Sequence, residues 1–374
     1  THGEDFERIF IDNIFHIGAE TTTTATIATT TDGTPTPAAS PQEQTAQTPG
    51  APVRFRDLTT VAAELKHHII GQDTPIDQIM GSLAVPAIGV RHSRPLRSFL
   101  FLGATGVGKT QVAKLLAQHL AEQPMNFVQI DMSEYGEKHN VSRLIGSPPG
   151  YVGSDEPSML EVVLTKHPVS LILLDEVEKA HPDVWDVFLQ VFQDGRLTTG
   201  QGTTLDFTNT IIIMTSNLGA DRLSTHPTGF TSGEGATVGV RGMDTAVRAH
   251  FRPELINRID TQIVFNTLTG DALEGIIAQH VEDTNTLLKE SGNKYVLEQP
   301  TGETLASIIS LDPKYGARGV HRAVENTVVT PVARHILRNG PRKRTVRLRV
   351  DMGPDGAPVV KNTTGRAHSK KHNS

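Results

Sequence analysis

The sequence contains no cysteine. That excludes disulfides, thiol nucleophiles and cysteine-ligated metals, and it fits the reducing cytoplasm, where we expect the chain to reside. Long apolar runs are also missing. Stretches such as "LILL" and "IIIM" are far too short to carry a helix across a bilayer, so no membrane partner is expected. No charged-then-apolar leader opens the chain, and Thr1 stands where an initiator methionine would be. We read this as a processed chain or a fragment of a longer one. Aromatic residues amount to only 5%, and none interleaves with the basic residues near the C-terminus, as base stacking would require.

Charge is unevenly spread. The net charge is −6, yet residues 341–374 hold nine Lys/Arg against two Asp, which leaves −13 for the remainder. A nucleic-acid patch is one reading of "RKRTVRLRV" and "GRAHSKKHNS". A solvated strand edge followed by a frayed tail is the other. The missing aromatics favour the second, and nucleic acid is not an expected partner.

With 374 residues the chain can form two compact domains plus additional segments. Residues 1–20 include Phe6, Ile9, Phe10, Ile14 and Ile17 near helical spacing, which predicts a short amphipathic segment. Residues 21–53 are rich in Thr and Pro and nearly free of large apolar side chains. Such a stretch cannot bury enough surface to offset chain entropy, so a disordered linker is expected. From Arg54 onward, short β-branched runs alternate with helical patterns. "SFLFLG", "FVQIDM", "VSLILLD", "TIIIMTS" and "TQIVF" read as five buried strands of a parallel sheet covered on both faces, placing an α/β domain over 54–265. Beyond it the pattern shifts to helices at 271–290 and 319–338 and an alternating strand, "TVRLRV". We expect a smaller α+β domain over 266–350 and a flexible basic tail over 351–374.

The chemistry concentrates in a few stretches. "GATGVGKT" runs Gly103, Ala104, Thr105, Gly106, Val107, Gly108, Lys109, Thr110 and fits G-x-x-x-x-G-K-[ST] between a predicted strand and a predicted helix. Its glycines let successive backbone N–H groups curl around phosphate oxygens at a helix N-terminus. Lys109 is placed to neutralise the terminal phosphates of ATP, and the Thr110 hydroxyl to ligate Mg²⁺. "LILLDEVEKA" delivers Asp175 and Glu176 to the end of a core strand, the edge at which open parallel sheets bind ligands. There Asp175 can hold Mg²⁺ through water, and Glu176 can polarise the attacking water as general base. A third strand, "IIIMTSN", brings Asn217 to the same edge, where a neutral amide can orient the nucleophile or simply cap the strand.

These stretches, together with "IIGQD", "IDMSEYGEKHNVSRLIGSPPGYVG", "DGRLTTGQG", "FRPELINRID" and "YGARGVHRAVE", resemble the Clp family of AAA+ ATPases over roughly residues 55–350. The match is closest to the second ATPase module of that hundred-kilodalton heat-shock class. The resemblance implies a three-layer αβα P-loop domain with a small C-terminal domain, working as a homo-oligomeric, hexameric ring on polypeptide substrates. It also implies that Ile69 and Ile70 border the adenine, that Asn217 is the first sensor, and that Arg258 is an arginine finger serving the neighbouring subunit. Arg318 becomes the second sensor, acting on its own subunit's nucleotide. Tyr151 and Val152 of "GYVG" would grip substrate in the central channel, with "TTGQG" in a second hairpin nearby. Their flanking Gly and Pro would anchor a buried aromatic poorly. Ala104 replaces the family's usual proline, without consequence for phosphate binding. Members that feed the ClpP protease carry an aliphatic-Gly-Phe/Leu tripeptide. Here Thr228–Phe230, "TGF", lies in that region, with threonine at the aliphatic position. Two other classes compete: a remodeller of DNA or transcription complexes, disfavoured by channel loops without positive charge, and a nucleotide-dependent scaffold, disfavoured by the complete catalytic set.

Overall fold

A computed structural model of the chain describes residues 53–90, 94–146, 157–220, 245–268, 270–311 and 316–364. All of them fall within one compact unit, Pro49–Ser374. The amphipathic segment and most of the Thr/Pro-rich stretch lie outside the described residues. So do the Tyr151 loop and the Thr228–Phe230 tripeptide.

The first portion opens with α1 (Leu58–His68) and α2 (Asp73–Ala87), followed by β1 (Arg97–Leu102) and α3 (Lys109–His119). β2 (Asn126–Asp131), α4 (Val141–Ile145), α5 (Met159–Lys166), β3 (Ser170–Asp175) and α6 (Pro182–Asp194) come next. The short pair β4 (Arg196–Thr198) and β5 (Thr204–Asp206) precedes β6 (Thr210–Ser216), α7 (Pro253–Ile256) and β7 (Thr261–Val264). The main sheet has the order β2-β3-β6-β1-β7 and is parallel at every pairing. All five strands expected from the sequence are present, each within a residue or two of its expected ends.

Alternating residues divide these strands between two cores. Leu100, Leu102, Ile172, Leu174, Ile212 and Met214 face a cluster with Trp185 and Phe188 of α6. Phe99, Phe101, Leu171, Leu173, Ile211 and Ile213 face the other cluster, with Leu65, Ile76, Val112 and Leu116 of α1, α2 and α3. Burial on both faces is why these strands read as continuous apolar runs rather than as alternating ones. At the N-terminal end of the sheet, Asp260 is nearly buried and holds the start of β1. It accepts from the Ser98 N–H and Oγ, both at 2.9 Å, and pairs with Arg97 and Arg94 at 3.2 and 3.1 Å.

The second portion contains α8 (Gly270–Glu290), β8 (Tyr295–Leu297), α9 (Gly302–Leu311) and α10 (Gly316–Val324). A π-helical turn over Glu325–Val329 then leads into α11 (Thr330–Asn339), β9 (Val346–Met352) and β10 (Pro358–Asn362). β9 lies between β8, its parallel partner, and β10, its antiparallel one. α8 and α10 also meet through His280 and His321, whose Nδ1 atoms are 2.7 Å apart.

Two expectations are corrected here. The helix predicted over 319–338 starts at Gly316 and is divided by the π-turn. Part of the expected tail, residues 351–362, instead completes β9 and forms β10, with the Gly353 N–H to Ala357 carbonyl bond (2.8 Å) closing the turn. An edge strand is held by backbone hydrogen bonds, so its side chains carry little apolar pattern to read. Residues 365–374 lie outside the described residues.

Candidate functional site

The polar strand ends meet where the strand order turns. β1 runs straight into the glycine loop, and α3 begins at Lys109 with Gly108 as its N-cap at φ 105°. That left-handed backbone is open to glycine and strained for any other residue. The loop is braced from behind by Gln72, which is fully buried. Its Nε2 donates to the carbonyls of Val107 (3.1 Å) and Asn266 (3.0 Å), and its Oε1 accepts from the Asn266 N–H (2.8 Å).

Lys109 is 8% exposed. Its Nζ donates to the carbonyls of Gly103 (2.5 Å) and Ala104 (2.9 Å) and to Asn217 Oδ1 (2.8 Å). Burial lowers its pKa to about 8, against the upward pull of Glu178, Asp175 and Glu176, and Arg318 lowers it further. No carboxylate lies within ion-pairing distance of this ammonium among the described residues. A desolvated cation with only neutral partners is suited to receive an anion.

Across the sheet, Asp175 is gripped from both flanking strands. Gln129 Nε2 donates to Oδ2 at 3.0 Å, and the Thr215 hydroxyl donates to Oδ1. Glu176 follows in a left-handed conformation, φ 56°, with its N–H on Thr215 Oγ1 at 3.2 Å. Lys179 Nζ donates to Glu176 Oε2. Glu178 turns inward, where Oε1 accepts from the Asn217 N–H at 3.3 Å while Oε2 is buried without a partner among the described residues. With its Oδ1 on Lys109, Asn217 has side-chain N–H groups that meet no partner among the described residues and are available to a ligand.

The remaining expected residues separate into two places. Ile69, nearly buried, lies against the loop: a Cβ at Gly108 would sit 3.5 Å from its Cγ2. Ile70 reaches α8, where a Cβ at Gly275 would sit 3.1 Å from its Cγ2. α10 also comes to the loop, for the Ala317 N–H donates to the Gly106 carbonyl at 3.0 Å. Arg318, next in sequence, is exposed and has no hydrogen-bond or ion-pair partner among the described residues. Arg258 does not join this group. Thr261 of β7 is level with Phe99 near the start of β1, whereas the glycine loop follows Leu102 at the other end. A six-residue strand at ~3.3 Å per residue separates the two edges by about 20 Å. There Arg258 lines an open recess of about 420 Å³ with Arg94, Phe192, Gln193, Glu254 and Asn257, its guanidinium likewise unpartnered among the described residues.

Thr215, Gln129, Glu178, Gln72 and Gly316 are not singled out by sequence reasoning, although all five sit inside quoted stretches, Gln72 in "IIGQD" and Thr215 in "TIIIMTS". The "TTGQG" stretch does form a hairpin, between β4 and β5. Its Gly200 N–H bonds to the carbonyl of Ile145 at 2.9 Å, one residue before the Gly146–Gly153 stretch begins.

A strand, phosphate loop and helix beside an acidic strand end and a polar sensor define a P-loop nucleoside-triphosphatase fold. Residues 94–262 match the family model for the AAA domain (Cdc48 subfamily), and residues 268–348 match the C-terminal, D2-small domain of ClpB protein. Chaperone protein ClpB 1 of Nostoc sp. is 42% identical over 283 residues, which cover 75% of this chain and 32% of that protein. Chaperone protein ClpB of Meiothermus ruber is 43% identical over 281 residues, covering 75% and 32%. A closed-state cryo-EM reconstruction of Hsp104 with ATPyS and FITC casein superposes with a TM-score of 0.69 at 34% identity, over 81% of this chain and 51% of that one. The chain belongs to the Clp-type AAA+ ATPases and corresponds to their second ATPase module. It spans about one third of the length of the curated relatives it matches.

Proposed function

We propose that this chain hydrolyses ATP and uses the cycle to draw polypeptides through a hexameric ring, as a protein unfoldase or disaggregase. The observation that carries the reading is the division of charged groups between two sheet edges. Lys109, Asp175, Glu176 and Arg318, with the neutral Asn217, converge at one, while Arg258, unpaired among the described residues, stands about 20 Å away at the other. A guanidinium placed there cannot reach its own subunit's phosphates. It is suited to those of a neighbour, so hydrolysis would depend on assembly.

In this mechanism Lys109 exchanges its carbonyl partners for the terminal phosphates, and the glycine-loop N–H groups take the remaining oxygens. Thr110 and Asp175 offer the hard oxygen donors that Mg²⁺ prefers and would hold it; bound there, the ion would neutralise phosphate charge. Glu176 takes the proton of the attacking water once Lys179 releases its carboxylate. The Asn217 amide orients that water. Arg318 meets the phosphates from α10, and Arg258 of the adjacent subunit stabilises the charge developing on the transferred group. Ile69 and Ile70 border the adenine. Motion between a large domain (54–265) and a small one (266–350) would follow, since α10 and the glycine loop share a hydrogen bond.

Tyr151 and Val152 are assigned the substrate grip. The bond from Gly200 of the "TTGQG" hairpin to Ile145, a few residues before Tyr151 in the sequence, supports a common channel-facing site. Neither stretch carries a positive charge, which disfavours a DNA remodeller. Docking of a ClpP-like protease at Thr228–Phe230 gains no support from relatives named as ClpB chaperones. A cytoplasmic setting belongs to the same reading; among the described residues no helix is long and apolar enough to cross a membrane. The test is Glu176→Gln, which should retain ATP binding and lose nearly all steady-state turnover. Wild-type turnover in that variant would remove Glu176 as the base.

A further inference from the structure

β3 and β6 run parallel with Leu174 level with Met214, so the next residues, Asp175 and Thr215, face each other at the sheet edge. Thr215 is 1% exposed. Its hydroxyl gives its single proton to Asp175 Oδ1 and accepts the Glu176 N–H at 3.2 Å. The single proton and one of the two lone pairs are thereby committed, which fixes the rotation of the hydroxyl. Glu176 is the only non-glycine residue with positive φ among the described residues. L-residues avoid that region, and a side chain stays there only where its surroundings over-determine it. The bond from its N–H to Thr215 is such a restraint. Gln129 completes the arrangement by holding the other oxygen of Asp175.

We propose that Thr215 is a positioning residue for hydrolysis: one hydroxyl orients the metal-side carboxylate and holds the turn that aims the general base. The inference rests on the assignment of Glu176 and Asp175 made above. Thr215 itself need touch neither nucleotide nor water. Removing its hydroxyl leaves the Glu176 N–H without its acceptor and Asp175 held by Gln129 alone, while the phosphate-binding stretch Gly103–Thr110 keeps its own contacts. The loss should therefore fall on kcat rather than on nucleotide binding.

The experiment compares Thr215→Val, Thr215→Ala, Thr215→Ser and Glu176→Gln with the unmodified chain, all in Mg²⁺ and ATP. Steady-state hydrolysis and equilibrium binding of a fluorescent ATP analogue are measured for each. Val and Ala should lower kcat about tenfold or more, the scale of one well-placed hydrogen bond, with binding close to wild type. Ser should recover most of the rate. Ser and Ala both lack the methyl group, so their difference isolates the hydroxyl even if the Val variant folds poorly. Adding Thr215→Val to Glu176→Gln should cost little more, because both changes act through one group. Val or Ala turning over as fast as Ser would overturn the inference. Wild-type turnover in Glu176→Gln would overturn the base assignment and this inference with it.

Discussion

The backbone N–H of Ala317 donates to the carbonyl of Gly106 at 3.0 Å, so the first turn of α10 rests directly on the phosphate loop. Gly316, one residue earlier, makes this approach possible. Its φ is +55°, and a Cβ there would lie 2.9 Å from the Gly106 oxygen and 3.1 Å from the Thr105 oxygen. The opposing atoms are backbone, so they cannot rotate away.

Gly316→Ala should therefore push α10 off the loop and carry Arg318 with it. Strain from the left-handed backbone adds about 1–2 kcal/mol. We expect a drop in ATP turnover of about tenfold, the equivalent of about 1.4 kcal/mol in the barrier. Hydrolysis assays and thermal unfolding, with and without nucleotide, check this. Turnover at the wild-type level would mean that the contact is incidental.

The lowered pKa of Lys109 makes nucleotide binding proton-linked. Below about pH 8 the ammonium is already charged in the free protein, so binding takes up no proton there. Above that value the free protein holds neutral lysine, whereas phosphate favours the charged form. Binding must then draw in a proton, and affinity should fall by up to about tenfold per pH unit. Calorimetry at pH 8.5 in two buffers of different ionisation enthalpy measures the uptake. An observed enthalpy independent of buffer would show that Lys109 is not the group that titrates.

If Arg258 acts on the adjacent subunit, two inactive chains should help each other. Arg258→Ala retains a nucleotide site but lacks the finger, and Lys109→Ala retains the finger but lacks the site. Mixing and reassembling them should restore a fraction of wild-type hydrolysis, up to the share of interfaces that pair a good site with a good finger. Mixtures no more active than the separate chains, in rings shown to contain both, would exclude action in trans.

The grip assigned to Tyr151 has an energetic bound. Burying one aromatic side chain against a substrate contributes about 1.5–3 kcal/mol, while a folded domain is stable by roughly 5–15 kcal/mol. Several loops acting together reach that range, and each contact remains weak enough to release. Tyr151→Ala should keep most ATP turnover and lose the unfolding of a stable fluorescent reporter, with a smaller effect on an already unfolded chain. Unfolding that survives intact would assign the grip elsewhere.

The phosphate loop, the five core strands and the acidic strand end were legible in the sequence, because each is encoded by neighbouring residues. A strand buried on both faces must be a contiguous apolar run, and a loop that wraps phosphate must place its glycines and lysine within a few peptide units. β10 escaped this logic, since backbone pairing with β9 holds it and its side chains need no pattern.

The arrangement around that motif was decided by tertiary structure. Thr215 and Asp175 are 40 residues apart, and Gln72 and Asn266 are 194 apart. Only the pairing of β3 with β6 brings the first pair together, and only the packing of the α2 start against the exit of β7 closes the second. The position of Arg258 is of the same kind. "INRID" contains an arginine, but the parallel run of β7 beside β1 puts that arginine at the sheet edge opposite the glycine loop. Local sequence determines which groups are available, and strand order determines which of them can meet, because hydrogen bonds and ion pairs act over a few ångströms of space irrespective of separation along the chain.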